Sequence, residues 1–435
     1  MRILVVLVLT AALAWAFLKL FPSSEEAKAD NRGAWTPAAR SDSSAGGQGE
    51  RGAPAATKPA SPTMDAARED VRASAAANTS TPAWDSLAPV EWQLAAMVAN
   101  GRLAEFEDGV RRAQGALPAP RAEALLAIAE ALTGRREAAL ARVRSAAGAV
   151  SAREQKLLEI ALGVAPFPVP ERAAAPSPME RGLEMALVAG AAARAAEAGQ
   201  PADAARLYSD LLLFAFDAPW EKDSALLGVW SEAVERAQER HRWNPRGEWP
   251  SFELKVHPGD SLVALRLRAV ETRSDLHIST GLIARANGLR NDVIHPGDVL
   301  RVPTDPVSVR VDVASRWLLY MHGGEVVGAW QVGVGREGSE TLTGDFVVGG
   351  KQKEPTWWPR GRSPVPFGDP ENPLGTRWIA WRAIGESRDS SYGFHGTREP
   401  ASIGHAASEG CIRMLNARVE ALFEIVPVGA AVAVR

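Results

Sequence analysis

The sequence predicts a multidomain chain: a helical region, a small strand–helix–helix–strand module and a mostly-β C-terminal domain. Three observations predict it. Across residues 84–245, Leu, Ala and Val recur every three or four positions with Glu and Arg between them, the period of amphipathic helices. Across 251–304, two short β-type stretches, FELKV and DVLRVP, bracket two helical patterns. Across 305–435, apolar and polar residues alternate in short runs broken by Gly and Asp/Asn turns, the period of strands. At 435 residues the chain is long enough for two or three domains.

In chain order, residues 1–21 come first. One Arg precedes an apolar run over 3–18 interrupted only by Thr10. The run is short for a spanning helix and suits the core of a signal peptide. Ala14-Trp15-Ala16 offers small residues for cleavage, while Leu20 and Phe21 extend the run as an uncleaved anchor would. Either reading exports the rest of the chain to the periplasm or cell wall, in the second case tethered to the inner membrane. Residues 22–83 are rich in Ala, Ser, Pro, Gly and charge. Such a segment cannot bury enough apolar surface to order itself and reads as a disordered linker. About 60 flexible residues would reach roughly 40–45 Å.

The helical region contains three similar segments, NGRLAEFEDGVRRA, TGRREAALARVRSA and AGQPADAARLYSDLL. Each has a turn followed by an amphipathic helix, and each follows an Ala/Leu-rich helix. They resemble degenerate tetratricopeptide-like hairpins. A plain helical bundle or spacer is the alternative. No polar constellation there points to chemistry.

In the small module, Pro258-Gly259-Asp260 turns into the first helix, which Asp260 or Ser261 can cap. Gly288 ends the second helix in the left-handed conformation. The pieces V-x-P-G-D-S-L, I-A-x-A-N-G-L and I-x-P-G-D-x-L-x-V-P resemble a LysM domain, which implies binding to peptidoglycan glycan. A linker domain without a ligand is the alternative. His257, His277 and His295 lack metal-ligand spacing.

Charge and cysteine usage narrow the function. The net charge is −3 with 23% charged residues, so no global field marks a nucleic-acid binder. Six of the 14 Trp lie in the C-terminal third, where they suit β-sheet packing. Cys411 is the only cysteine, so no internal disulfide holds the fold. A lone thiol in an exported chain is either inert and buried or reactive. Its neighbours favour reaction. Gly410 permits a sharp turn and close approach. Backbone N–H groups at Gly410 and Cys411 can converge on an oxyanion. His395, also flanked by glycines, supplies the imidazole that activates a thiol.

Across 305–435 run the pieces V-D-V-A-S-R-W-L, T-x-T-G-D-F, P-T-W-W-P, P-L-G-T-R, G-F-H-G-T and S-x-G-C-I-R-M, in that order. On these pieces the segment resembles the L,D-transpeptidase (YkuD-type) catalytic family. The resemblance implies a β-sandwich-like fold. It implies acyl transfer from the third residue of a peptidoglycan tetrapeptide stem, through a Cys thioester, to an amine acceptor. It assigns Cys411 as nucleophile, His395 as general base and acid, the Gly396 carbonyl as the group orienting His395, and Gly410 as an oxyanion N–H donor. Arg413, Ser408 and Tyr392 are the expected substrate-binding residues. No cofactor, metal or nucleic acid is expected. The expected partners are peptidoglycan stem peptides and glycan.

One position departs from the family pattern. Glu409 stands where the family usually has His, and a carboxylate there disfavours a thiolate unless it points away. It could instead orient Arg413 or bind an acceptor amine. His405 is a second candidate imidazole or a plain loop residue. Two other functions stay open: an L,D-carboxypeptidase using water, and a non-catalytic peptidoglycan-binding scaffold.

Overall fold

The computed structural model describes residues 89–435, apart from 147–148, 163–175, 219–222, 246, 248 and 360. The expected signal or anchor segment and the linker lie outside the described residues. Helices α1 (Pro89–Ala99), α2 (Leu103–Arg112), α3 (Ala119–Leu132), α4 (Arg136–Ser145), α5 (Ala152–Ala161), α6 (Pro178–Glu197), α7 (Pro201–Phe216) and α8 (Ser224–Arg240) come first. The three similar segments are the turns and second helices of three hairpins: α1/α2, α3/α4 and α6/α7. Gly101, Gly134 and Gly199 turn them at φ of +68°, +77° and +69°, a conformation that costs glycine little. Each following amide reaches back to close the helix end: Arg102 N–H to Met97 O (2.8 Å), Arg135 to Glu130 O (2.8 Å) and Gln200 to Ala195 O (2.9 Å). Phe106, Leu125, Ile128, Leu183 and Leu211 fill the interior between the helices.

The small module pairs β1 (Ser251–Lys255) antiparallel with β2 (Val299–Pro303) around α9 (Leu262–Thr272) and α10 (Thr280–Ala286). Of the two candidate caps for α9, Ser261 accepts from the Ala264 N–H. Asp260 instead closes its own turn by accepting from the His257 N–H. The second His-Pro-Gly-Asp turn repeats this, Asp298 accepting from the His295 N–H. Gly288 takes φ +64°, as its position predicts.

The C-terminal part is one eight-stranded sheet and a separate two-stranded ladder. The strands are β3 (Val307–Asp312), β4 (Trp317–His322), β5 (Glu325–Gln331), β6 (Val334–Gly335), β7 (Gly344–Lys353), β8 (Arg377–Ala383), β9 (Gly393–His395), β10 (Ala406–Ser408), β11 (Ile412–Arg413) and β12 (Ala431–Val434). The large sheet runs β11-β9-β8-β7-β12-β3-β4-β5, and β10 pairs with β6. A sandwich-like fold was the expectation. The structure has a continuous sheet, with register shifts at Tyr320/Met321 and Val348/Lys351 of the kind that bend strands. Within this sheet β12 runs parallel to β3, and β11 parallel to β9. Strands β4 and β5 join in a hairpin at residues 322–325, with Gly323 and Gly324 both at positive φ.

Helix α11 (Asn416–Ile425) follows β11 and braces three parts of the molecule. Lys351 Nζ donates to the carbonyls of Phe423 and Val426. Ser279 of the small module donates to Glu424 O (2.7 Å), and Glu235 of α8 pairs with Arg418 (3.0 Å). The helical region also covers the edge strand β5. Ser209 accepts from the Val326 N–H (2.8 Å), Gln238 donates to Val326 O (3.2 Å), and Ser231 donates to Ala329 O.

Candidate active site

Strand β9 carries His395 on its last residue, and Cys411 immediately precedes β11. The parallel register aligns Ile412 with Phe394 and Arg413 with His395. One step back, that register sets Cys411 beside Gly393. Side chains two apart on a strand share a face, so Cys411, Arg413 and His395 project from the same face. The Gly393 N–H lies near the sulfur, and a Cβ on Gly393 would collide with the Ile379 carbonyl.

His395 is 4% exposed. Its Nδ1–H donates to the Gly396 carbonyl at 2.6 Å. That bond fixes the tautomer and leaves Nε2 as the free basic nitrogen. The Trp378 ring stacks on the imidazole, with centroids 6.1 Å apart. Burial lowers the His395 pKa to about 4, opposed by the Gly396 bond and reinforced by the nearby Arg413 charge. Burial likewise raises the Cys411 thiol to about 11, against the Gly393 N–H and Arg413, which favour the thiolate. The resting pair is therefore a neutral thiol and a neutral imidazole. The thiol points at the Ser391 carbonyl, 3.7 Å away.

The other expected site residues divide. Arg413 lies at the site, its guanidinium 3.2 Å from Glu399. Gly410 takes φ +107°, and a Cβ there would come within 2.7 Å of the Tyr392 ring. Tyr392 thus packs under the turn that leads to Cys411. Ser408, expected to bind substrate, is 1% exposed. Its hydroxyl donates to the Cys411 carbonyl (2.6 Å) and accepts from the Gly410 N–H (3.2 Å). Both the Ser408 hydroxyl and the Gly410 N–H are engaged in closing the turn. Glu409 pairs with Arg336 at 3.3 Å rather than with Arg413, and its charge adds to the upward push on the Cys411 thiol. His405 is an exposed loop residue.

Several groups at the site escaped sequence reading. Asn416 reads as a helix start, yet its side-chain oxygen accepts from the Thr376 and Thr397 N–H groups. Ser391 contributes a carbonyl, which no side-chain pattern reveals. Trp378 reads only as a strand residue.

Two family models match the chain. The YkuD family model, the L,D-transpeptidase catalytic domain, matches residues 306–434, and the LysM domain model matches 254–303. YqjB of Bacillus subtilis, named as an L,D-transpeptidase, is 36% identical over 128 residues, 29% of this chain and 70% of that protein. YkuD of Bacillus licheniformis, named likewise, is 30% identical over 182 residues, 41% of this chain and 96% of that protein. The chain belongs to the L,D-transpeptidase family. The chain also spans, at 20% identity and a TM-score of 0.25, 98% of the solved catalytic domain from the E. faecium L,D-transpeptidase, using 30% of its own length. The family implies an enzyme, and its LysM and catalytic domains imply a cell-wall-associated protein that binds peptidoglycan. Among the described residues, no helix is long and apolar enough to cross a membrane.

Proposed function

We propose that the protein is an exported peptidoglycan L,D-transpeptidase with Cys411 as nucleophile and His395 as general base and acid. The observation that carries this reading is the parallel β9–β11 register, which puts thiol and imidazole on one face while Gly396 holds the far side of the ring. Nε2 of His395 takes the thiol proton as sulfur attacks the carbonyl joining the third stem residue to the terminal D-Ala. The Cys411 N–H faces the developing oxyanion. The imidazolium returns the proton to the departing amine, leaving a thioester. A side-chain amine of a second stem then attacks, His395 accepts its proton, and the thiol is regenerated with a new amide cross-link. Arg413, whose Nε is buried without a protein partner, binds a substrate carboxylate.

By role, the chain divides into a helical part (84–245), a glycan-binding LysM part (251–304) and a catalytic part (305–435). The helical hairpins form a tetratricopeptide-like or bundle scaffold. The test is acylation by a carbapenem, read by intact mass. One adduct is expected on the full chain and none on Cys411→Ala. No adduct on the parent chain would point to a non-catalytic scaffold. Incubation with tetrapeptide stems should yield cross-linked dimers, whereas tripeptides alone would mean that water is the acceptor.

A further inference from the structure

The Gly396–Thr397 peptide unit is held at both ends. Its carbonyl accepts from His395 Nδ1 at 2.6 Å. Its N–H donates to Asn416 Oδ1 at 3.1 Å. The unit is planar, so the side-chain oxygen of Asn416 sets the direction in which the Gly396 carbonyl meets the imidazole. Hydrogen bonds in such a chain polarise one another, and the carbonyl becomes a better acceptor when its N–H is engaged. The same oxygen accepts from the Thr376 N–H at 3.3 Å, just before β8, the strand that carries Trp378. Both partners are donors, so Oδ1 and not Nδ2 must face them.

Two glycines make room for this oxygen. A Cβ on Gly396 would lie 2.1 Å from Asn416 Oδ1, and one on Gly375 2.4 Å from it. Asn416 is the first residue of α11 and lies five positions after Cys411. It therefore joins the segment that bears the nucleophile to the two segments that orient the base.

We propose that Asn416 is the positioning residue of the reaction, registering His395 against Cys411 through the Gly396–Thr397 peptide. This rests on the assignment of Cys411 and His395 above. Asn416→Ala removes the clamp, and a misplacement of about 1 Å at the imidazole would slow Cys411 acylation on the order of 100-fold. Asn416→Asp keeps both acceptor contacts and adds a negative charge beyond the peptide, which stabilises the imidazolium.

The experiment measures carbapenem acylation rates by intact mass across pH for the full-length parent, Asn416→Ala, Asn416→Asp and His395→Ala. The expected result is a slow Ala variant and an Asp variant that recovers most of the rate, with its acid limb moved upward from about pH 4. An Ala variant at the parental rate, or an Asp variant as slow as Ala, overturns the proposal. If Asn416→Ala does not fold, an unmoved acid limb in Asn416→Asp overturns it alone. A His395→Ala variant at the parental rate sinks the underlying base assignment. A slow His395→Ala beside a parental Asn416→Ala removes only the clamp.

Discussion

His395 and Cys411 rest as a neutral pair because burial opposes charge on both. Burial places the imidazole near 4 and the thiol near 11. Between these values the reactive form, thiol plus free Nε2, dominates. The acylation rate should therefore rise as pH increases through about 4 and stay level across neutrality. A pH–rate profile that keeps climbing toward 11 would mean that thiol ionisation, and not the imidazole, controls attack. His395→Ala should block acylation while His405→Ala changes it little, because His405 lies exposed on its loop; acylation kinetics of the two variants decide it. Cys411 and His395 stand out in the sequence as candidates because Gly410 precedes the one and Gly393 and Gly396 lie near the other. The spent hydroxyl of Ser408 was not legible. Whether a serine beside a nucleophile meets substrate or closes the turn depends on where Gly410 sends its N–H.

At the scale of elements, the edge strand β5 shows how the helices and the sheet depend on each other. An edge strand presents unpaired backbone groups, and here Ser209, Ser231 and Gln238 satisfy those of Val326 and Ala329. Ser209→Ala leaves the Val326 N–H buried without a partner. It should lower stability by about 1–3 kcal/mol, read as a shift in denaturant midpoint at unchanged slope. An unchanged midpoint would mean that water reaches the edge. Helix and strand periods were readable here, as were the glycine turns of the three hairpins. The role of Ser209 was not, because one polar residue on a helix face looks the same whether it meets solvent or a strand.

Across the whole molecule, the parts meet around buried polar groups. Arg242, after α8, pairs with Asp305 (2.9 Å) between β2 and β3, and with Glu325 (2.7 Å) in β5. Beside it, His322 is 1% exposed, in edge contact with Trp243 and Tyr320. Burial holds His322 well below 6.5, in the same direction as His395. Both rings bind protons more tightly in the unfolded chain. The stability they contribute is complete above about 6.5 and is lost as pH falls through the folded values. Melting temperature should thus drop between pH 6.5 and 4, and less steeply in His322→Gln. An equal slope in parent and variant would show that His322 does not set this dependence.

The sequence by itself determined the order of the parts, the hairpin turns, the family and the candidate thiol and imidazole. These rest on local spacing, glycine conformations and motifs that lie within short stretches of chain. Tertiary structure alone decided the parallel β9–β11 ladder, the pairing of Glu409 with Arg336, the double duty of Ser408 and the reach of Asn416 to two loops. Each of these depends on which distant groups arrive beside one another, and hydrogen bonds between such groups leave no period in the sequence.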